Sequence, residues 1–391
     1  MPKFTTKSRT GKPAKPRPDF PLFPHATGRW AKKVLGKLIY FGKVADDPKG
    51  KAALDKWLNE KDALLAGRTP RPITPDSLTV AKLCNQFTSF KESFLKSGEL
   101  AQRSYDLYYG TCERLYKVFG RRRPVDDLTA DDFQHYRTWG AKQWGPVFLG
   151  NEIQRIRTVF KYGYDAGLID QPVRFGPGFK KPSAKVLRQN RLKRGLKMFE
   201  KDELLAVLGH AEGNFKAMVL LGINAGLGNT DLALLPVKAL DLKTGWLNYP
   251  RQKTAIQRRI PLWPETIKAL KNVLKARQKP SDTEAKDLVF IGRRGESYIG
   301  KHRGYRVHQE FKRLLNKAKL TRSGLSFYAL RHTFQTMAES SRDLSAVQSI
   351  MGHAAASSDM SAIYRERVDD DRLKAVVGHV HRWLFENKES K

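Results

Sequence analysis

Acidic residues are scarce in this sequence. Its 391 residues hold 39 Asp and Glu against 73 Lys and Arg, a formal charge of +34 at neutral pH. A surplus that large repels itself in the compact state and draws in phosphate-rich polymers, so a polyanionic partner is expected, nucleic acid ahead of an anionic membrane surface. Cysteine is nearly absent: Cys84 and Cys112 lie 28 residues apart with no CxxC. That excludes a disulfide framework and a cysteine-rich zinc site and leaves two ordinary core thiols. No apolar run approaches the roughly 20 residues of a membrane span, and the basic start runs into proline instead of an apolar signal core. The chain is therefore expected to stay inside the cell, cytoplasmic and DNA-associated, away from any membrane. Its nine histidines form no HExxH, and Gly295 to Lys301 imitates a phosphate loop only until His302 takes the place of the metal-binding Ser or Thr. No cofactor and no metal are expected.

What remains is ample for folding: 40% of residues are hydrophobic and 10% aromatic. At about 150 residues per domain the length predicts two or three domains. Residues 1–24 mix six basic residues with six prolines and read as an extended, unpacked tail. Residues 25–70 read as a basic β-hairpin (Arg29 to Val34, a turn at Gly36, Lys37 to Phe41) followed by a helix over 49–66. Such a unit either lies in a major groove or serves as a small cap. Prolines 70, 72 and 75 then make a stiff linker. Residues 77–172 read as four helices, over about 78–95, 101–119, 129–140 and 146–166, with Arg155, Arg157 and Lys161 on an exposed face.

Residues 173–197 read as a linker whose stretch from Arg174 to Lys197 holds nine basic residues and no acidic one. In a duplex groove, Lys180, Lys181, Arg191 and Arg194 would displace counterions without reading sequence, and the linker would let two halves close like a clamp. Residues 198–391 read as a second helical domain interrupted by a β insertion over 245–262, which sets Arg251, Lys253, Arg258 and Arg259 around one turn. The fold class is thus mainly α with small β elements.

The last third carries Tyr328-Ala-Leu-Arg331-His332, then Met351-Gly-His353, then Ile363-Tyr364-Arg-Glu-Arg. Here the sequence resembles the tyrosine recombinase, or phage integrase, family. The resemblance covers most of the chain. It implies an arm-type DNA-binding domain at residues 25–70, a four-helix core-binding domain at 77–172, and a mostly helical catalytic domain at 198–391 with a β-hairpin insertion. Family members cut DNA with a tyrosine that keeps the bond energy in a 3′-phosphotyrosine, without ATP or metal. A phenol of pKa about 10 is a poor nucleophile at neutral pH, so it needs cations on the phosphate and groups that move protons.

By the resemblance, Tyr364 is the nucleophile, eleven residues after His353 and 33 after Arg331. Arg331 is the second family arginine, able to bind two phosphate oxygens. His353 hydrogen-bonds the phosphate. Lys253 is either the general acid for the leaving 5′-oxygen or a backbone-phosphate contact. Asp231 buttresses the site. His332 is a further DNA contact. Two positions depart from the family pattern. Gly228, 25 residues before Lys253, stands where the first arginine belongs, and Tyr328 stands where a histidine is usual, on the same helical face as Arg331. Gly228 has a bland reading as part of a helix end. Arg251, Arg258 and Arg259 are expected to contact DNA and are the candidates for a replacement cation.

The expected function is site-specific recombination of double-stranded DNA of a mobile genetic element, in a homotetrameric synapse with a possible accessory DNA-bending protein. The rival reading is a catalytically weak recombinase-like DNA-binding protein, which Gly228 favours and the set Lys253, Arg331, His353 and Tyr364 disfavours. A relaxing enzyme of the topoisomerase kind would use the same residues. The apolar residues from Val376 to Phe385 either dock on a neighbouring subunit or pack back on their own domain.

Overall fold

The computed structural model describes residues 14–65, 67, 69–70, 77–299, 305–354 and 364–386. Outside these lie the first half of the basic tail, most of the proline linker, the false phosphate loop from Gly300 to His302, and Ile363. The chain divides into two units, residues 1–187 and 188–391.

The first unit opens with strands β1 (Phe23–Pro24), β2 (Arg29–Val34) and β3 (Lys37–Lys43), antiparallel in the order β1-β2-β3. Leu35 and Gly36, with φ of 48° and 81°, make the tight turn between β2 and β3, a left-handed geometry that glycine adopts without penalty. Helix α1 (Lys51–Leu65) sends Trp57 to join Trp30 and Phe41 in a small core. Phe20 and Leu22 are buried in that core as well. The packed chain therefore reaches back into the stretch expected to be unpacked, because Phe20 and Leu22 are apolar side chains among the prolines, and Phe20 packs edge-to-face on Trp30.

Helices α2 (Val80–Lys96), α3 (Gln102–Phe119), α4 (Ala130–Ala141) and α5 (Pro146–Asp165) follow, within two residues of their expected bounds. Their start signals are physical. Thr79 caps α2 through its side chain, Thr129 and Asp132 form a reciprocal cap on α4, and Pro146 opens α5. Cys84 and Cys112 are free and buried among them. The basic face expected on α5 is partly absorbed by structure. Arg155 bonds the buried Glu152 at 2.7 Å, Arg114 does so at 2.6 Å, and Tyr136 Oη and Thr111 Oγ1 complete that carboxylate's shell at 2.9 Å each. Arg157 donates to Phe179 O and stacks on Phe175, and Lys161 pairs with Asp165.

The expected linker is also more structured than its composition suggests. Phe179 is fully buried and Val173 and Phe175 pack beside it, so the segment up to Lys181 belongs to the helical core. Helix α6 (Ala184–Arg194) then occupies part of the expected linker, with no buried residue. Gly176, Pro177, Gly178 and Pro182 all precede it, and the run that follows is free of both residues until Gly195, which permits a helix.

The second unit is built on one large core. Helices α7 (Lys201–His210), α8 (Gly213–Asn224) and the short α9 (Asn229–Ala233) lead into strands β4 (Leu240–Asp241), β5 (Trp246–Asn248) and β6 (Arg259–Pro261), antiparallel in that order. Buried Asn224 ties this insertion to α8, donating to Pro261 O and accepting from Trp263 N. Helices α10 (Pro264–Lys275), α11 (Tyr305–Lys317), α12 (Phe327–Glu339), α13 (Leu344–Met351) and α14 (Asp370–Phe385) complete it. Val376, Val377, Val380 and Leu384 of α14 are buried in this unit's own core, and Val377 O accepts from Trp263 Nε1. The C-terminal apolar residues thus pack back on their own domain.

Candidate active site

Helix α12 delivers the central cation. Its apolar residues Phe327, Leu330 and Phe334 face the core at helical spacing, and Arg331, one position round from Leu330, is carried inward with them to 3% exposure. There its guanidinium is held by three partners. Nη1 donates to Gly226 O at 2.5 Å, and Nη2 donates to Met351 O at 2.8 Å and to His353 Nε2 at 2.9 Å. An arginine cannot accept, so Nε2 of His353 is the acceptor and the imidazole proton sits on Nδ1. Burial first, then the Arg331 and Arg251 charges, lower the His353 pKa to about 4, so the ring is neutral at pH 7. Burial, followed by Arg251, lowers Arg331 to about 10, which leaves it charged.

His353 reaches this position through a helix end. Gly352 closes α13 in the left-handed conformation at φ 61°, with its N–H bonded to Ser349 O. A Cβ on Gly352 would stand 2.9 Å from Arg251 Cβ and 3.0 Å from Arg258 Cδ, so both φ and space require glycine here. The bare peptide also lets Gly352 O accept from Arg251 Nη1 and from Thr254 Oγ1, each at 3.1 Å. The insertion loop is thereby fastened to the histidine. Arg251 N to Ile256 O and Ala255 N to Arg251 O, both 2.8 Å, hold that loop as a tight turn.

Strand alternation separates the next two arginines. Arg258 lies on the face of buried Ile260, and Arg259 on the opposite face. Arg258 is 1% exposed, with Nη2 3.1 Å from Asp231 Oδ1 and Nε donating to Tyr249 O at 2.9 Å. It is therefore not the surface DNA contact expected of it. Arg259 lies outside the cluster, bidentate to Asp370 at 2.8 Å and stacked over Trp246 at 3.9 Å. Asp231 has a double duty: its Oδ2 also accepts from Gly228 N at 3.0 Å, capping α9. Gly228 is a helix start, with Gly226 at φ 61° just after α8.

Tyr328 is half exposed and packs edge-to-face on His332, whose pKa burial and Lys197 push down. Lys253 is exposed. Tyr364 is 79% exposed and has no hydrogen bond or ring contact among the described residues. Lys180, Lys181, Arg191 and Arg194 are all exposed. Thus Arg331, His353, Arg251, Arg258 and Asp231 form one cluster, with Tyr328 against Gly228 at its edge, while among the described residues Lys253 and Tyr364 make no side-chain hydrogen bond to it. Sequence reading missed Thr254, which bonds Gly352 O, and the carbonyls of Gly226 and Met351, which only the tertiary paths of the α8 end and of α13 bring to Arg331. Among the described residues no group of three or more His, Cys, Asp or Glu stands ready for a metal, and no helix is long and apolar enough to cross a membrane.

A helical domain with a small antiparallel insertion thus holds a buried arginine whose hydrogen-bond partners among the described residues are two backbone carbonyls and a neutral imidazole, an arrangement suited to gripping a phosphate oxygen. The comparisons place it further. Residues 195–380, just under half of the chain, match the phage integrase family. It is 24% identical to tyrosine recombinase XerC of Stutzerimonas stutzeri over 307 residues, 76% of this chain and 96% of that one. To tyrosine recombinase XerA of Pyrococcus furiosus it is 26% identical, over 60% of this chain and 74% of the relative. Its fold is similar to that of a lambda integrase tetramer bound to a Holliday junction, with TM-score 0.57 and 16% identity over 90% of this chain and 98% of that one. The Tn1549 transposon integrase bound to transposon right-end DNA gives TM-score 0.57 and 16% identity, over 78% of this chain and the whole of that one.

Proposed function

We propose that the protein is a site-specific recombinase of the integrase type, acting on double-stranded DNA of a mobile element through a covalent Tyr364 intermediate. The observation that carries this reading is the cluster in which Arg331 and neutral His353 are bonded to each other and fastened through Gly352 to the loop bearing Arg251 and Lys253. A binding protein has no need to bury a guanidinium with only carbonyls and an imidazole as partners. A phosphate oxygen supplies the missing negative charge.

In the first step the Tyr364 oxygen attacks the scissile phosphorus, its proton passing to water, and the bond to the 5′-oxygen breaks. Lys253 protonates that oxygen, giving a 3′-phosphotyrosine and a free 5′-hydroxyl. Arg331 and the Nδ1–H of His353 stabilise the charge that develops on the phosphorane. Asp231 holds the cluster's frame through Arg258 and Gly228 N. A 5′-hydroxyl of another strand then reverses the step and frees Tyr364. The exposed cations Lys180, Lys181, Arg191 and Arg194, together with the His332 imidazole, contact the duplex backbone, and strand exchange takes place in a homotetramer, with an accessory DNA-bending protein where the site requires it.

The test is covalent trapping. Nicked duplexes drawn from the flanks of the chain's own gene are incubated with the protein, and adducts are resolved on denaturing gels. Wild type is expected to form an adduct that Tyr364→Phe does not. Tight binding with no adduct on any such duplex would leave only the DNA-binding reading.

A further inference from the structure

The first family arginine is absent, and the structure shows that the space beside it is not merely empty. A Cβ on Gly228 would stand 3.7 Å from Tyr328 Cε2 and 3.8 Å from Tyr328 Cδ2, so the tyrosine ring lies against the position from which the arginine would extend. The two departures from the family pattern are thus one: the larger residue at 328 fits against the smaller one at 228. A second guanidinium has to arrive from elsewhere, and the three candidates of the insertion differ in what already occupies them.

Arg259 is saturated by both oxygens of Asp370. Arg258 has Asp231, Tyr249 O and Pro250 O as partners and no exposed surface to offer a phosphate. Arg251 is different. It is only partly buried, its one hydrogen-bond partner is a backbone carbonyl through Nη1, and no carboxylate pairs with it among the described residues. Its Nη1 bonds the carbonyl of Gly352, directly before His353, whose ring bonds Arg331, so its charge bears on both groups. Two like charges held side by side repel each other, and a bound anion relieves that repulsion.

We propose that Arg251 is a catalytic residue that supplies the second guanidinium to the scissile phosphate, in place of the arginine missing at Gly228. The proposal rests on the recombinase reading above. Arg331 and Arg251 grip the non-bridging oxygens, the Nη1 bond to Gly352 O sets the direction of the Arg251 fork, and Nε and Nη2 remain for the phosphate. Thr254, on the same carbonyl, fixes the loop so that Lys253 is carried with it.

Two measurements on the full-length protein test this. In the first, inorganic phosphate and orthovanadate, the latter a mimic of the five-coordinate phosphorus, are titrated while the His353 imidazole resonance is followed, assigned by its loss in His353→Gln. Wild type is expected to bind both. Arg251→Gln should weaken binding roughly tenfold or more, and Arg251→Lys, which keeps the charge without the fork, should lie between. In the second, the rate of adduct formation per bound nicked duplex should fall about 10²- to 10³-fold in Arg251→Gln. Adding Gly228→Arg with Tyr328→His to that variant, which restores the family pair, should recover much of the rate. Arg251→Lys retains the contact to Gly352 O and guards against a loss due to misfolding. The proposal is overturned if Arg251→Gln binds the anions and forms adducts as wild type does, or if wild type binds neither anion. If wild type binds anions through Arg251 but makes no adduct, the recombinase reading fails while the phosphate site stands.

Discussion

His353 carries a pH signature that follows from its partners. An imidazole titrates near 6.5 when exposed, and here burial, Arg331 and Arg251 lower it to about 4, with Glu339 opposing weakly. The folded protein therefore resists taking up a proton that the unfolded chain accepts below about 6.5. Stability from this residue is complete above that pH and is lost as pH falls toward 4, where Nε2 becomes protonated and can no longer accept from Arg331. Urea midpoints of wild type and His353→Gln should accordingly converge between pH 7 and pH 4.5. Curves that run parallel across that range would mean the ring is not held neutral by Arg331. At this scale the sequence was legible where a motif fixes a role and opaque where burial decides. Arg331 and His353 are found together as their motif implies. Arg258 and Arg259 look equivalent in sequence, and only the alternation of β6 sends one to Asp231 and the other to Asp370.

Helix α12 owes its precision to a neighbour. A Cβ on Gly222 of α8 would stand 2.7 Å from Leu330 Cδ1 and 3.3 Å from Phe327 Cζ, so the two helices approach each other at a residue with no side chain. Leu330 is adjacent to Arg331, and a wedge at this point moves the guanidinium. Gly222→Val should cost about 1–3 kcal/mol by overpacking. It should also lower adduct formation more than the loss of folded protein explains, because a displacement near 1 Å can cost about a hundredfold in rate. Parallel urea and trapping measurements separate the two, and an adduct rate that merely tracks the folded fraction would show that α12 tolerates the shift. Elements with apolar periodicity, α2 to α5, α7, α8 and α10 to α13, are legible because one face must be buried, whereas the five-residue α9 is too short to show a period. Helix α6 has no such face and no buried residue, so nothing in its pattern distinguishes it from an extended basic linker. The short β1 is hidden for a different reason: two strand residues beside prolines give no period to read.

For the whole molecule the dominant quantity is charge. Basic residues far outnumber acidic ones, and between Lys185 and Lys197 six basic residues face solvent with no acid among them. Affinity for duplex of arbitrary sequence should therefore be governed by counterion release, with a slope of log K against log salt of about −0.9 per phosphate neutralised. Between 50 and 200 mM salt the loss should reach about 10³-fold if six or more phosphates are engaged. Replacing Arg188, Arg191, Lys193 and Arg194 of α6 by Gln should make the slope less steep by up to about 3.6, since each removes at most one contact. The same variant should weaken binding to every duplex alike, because phosphate contacts carry no base information. Filter binding across a salt series, on two unrelated duplexes, measures both quantities. An unchanged slope would mean that α6 does not touch the backbone and that the charge surplus acts elsewhere. A loss confined to one duplex would mean that α6 reads bases, which the length and spacing of its basic side chains alone do not require.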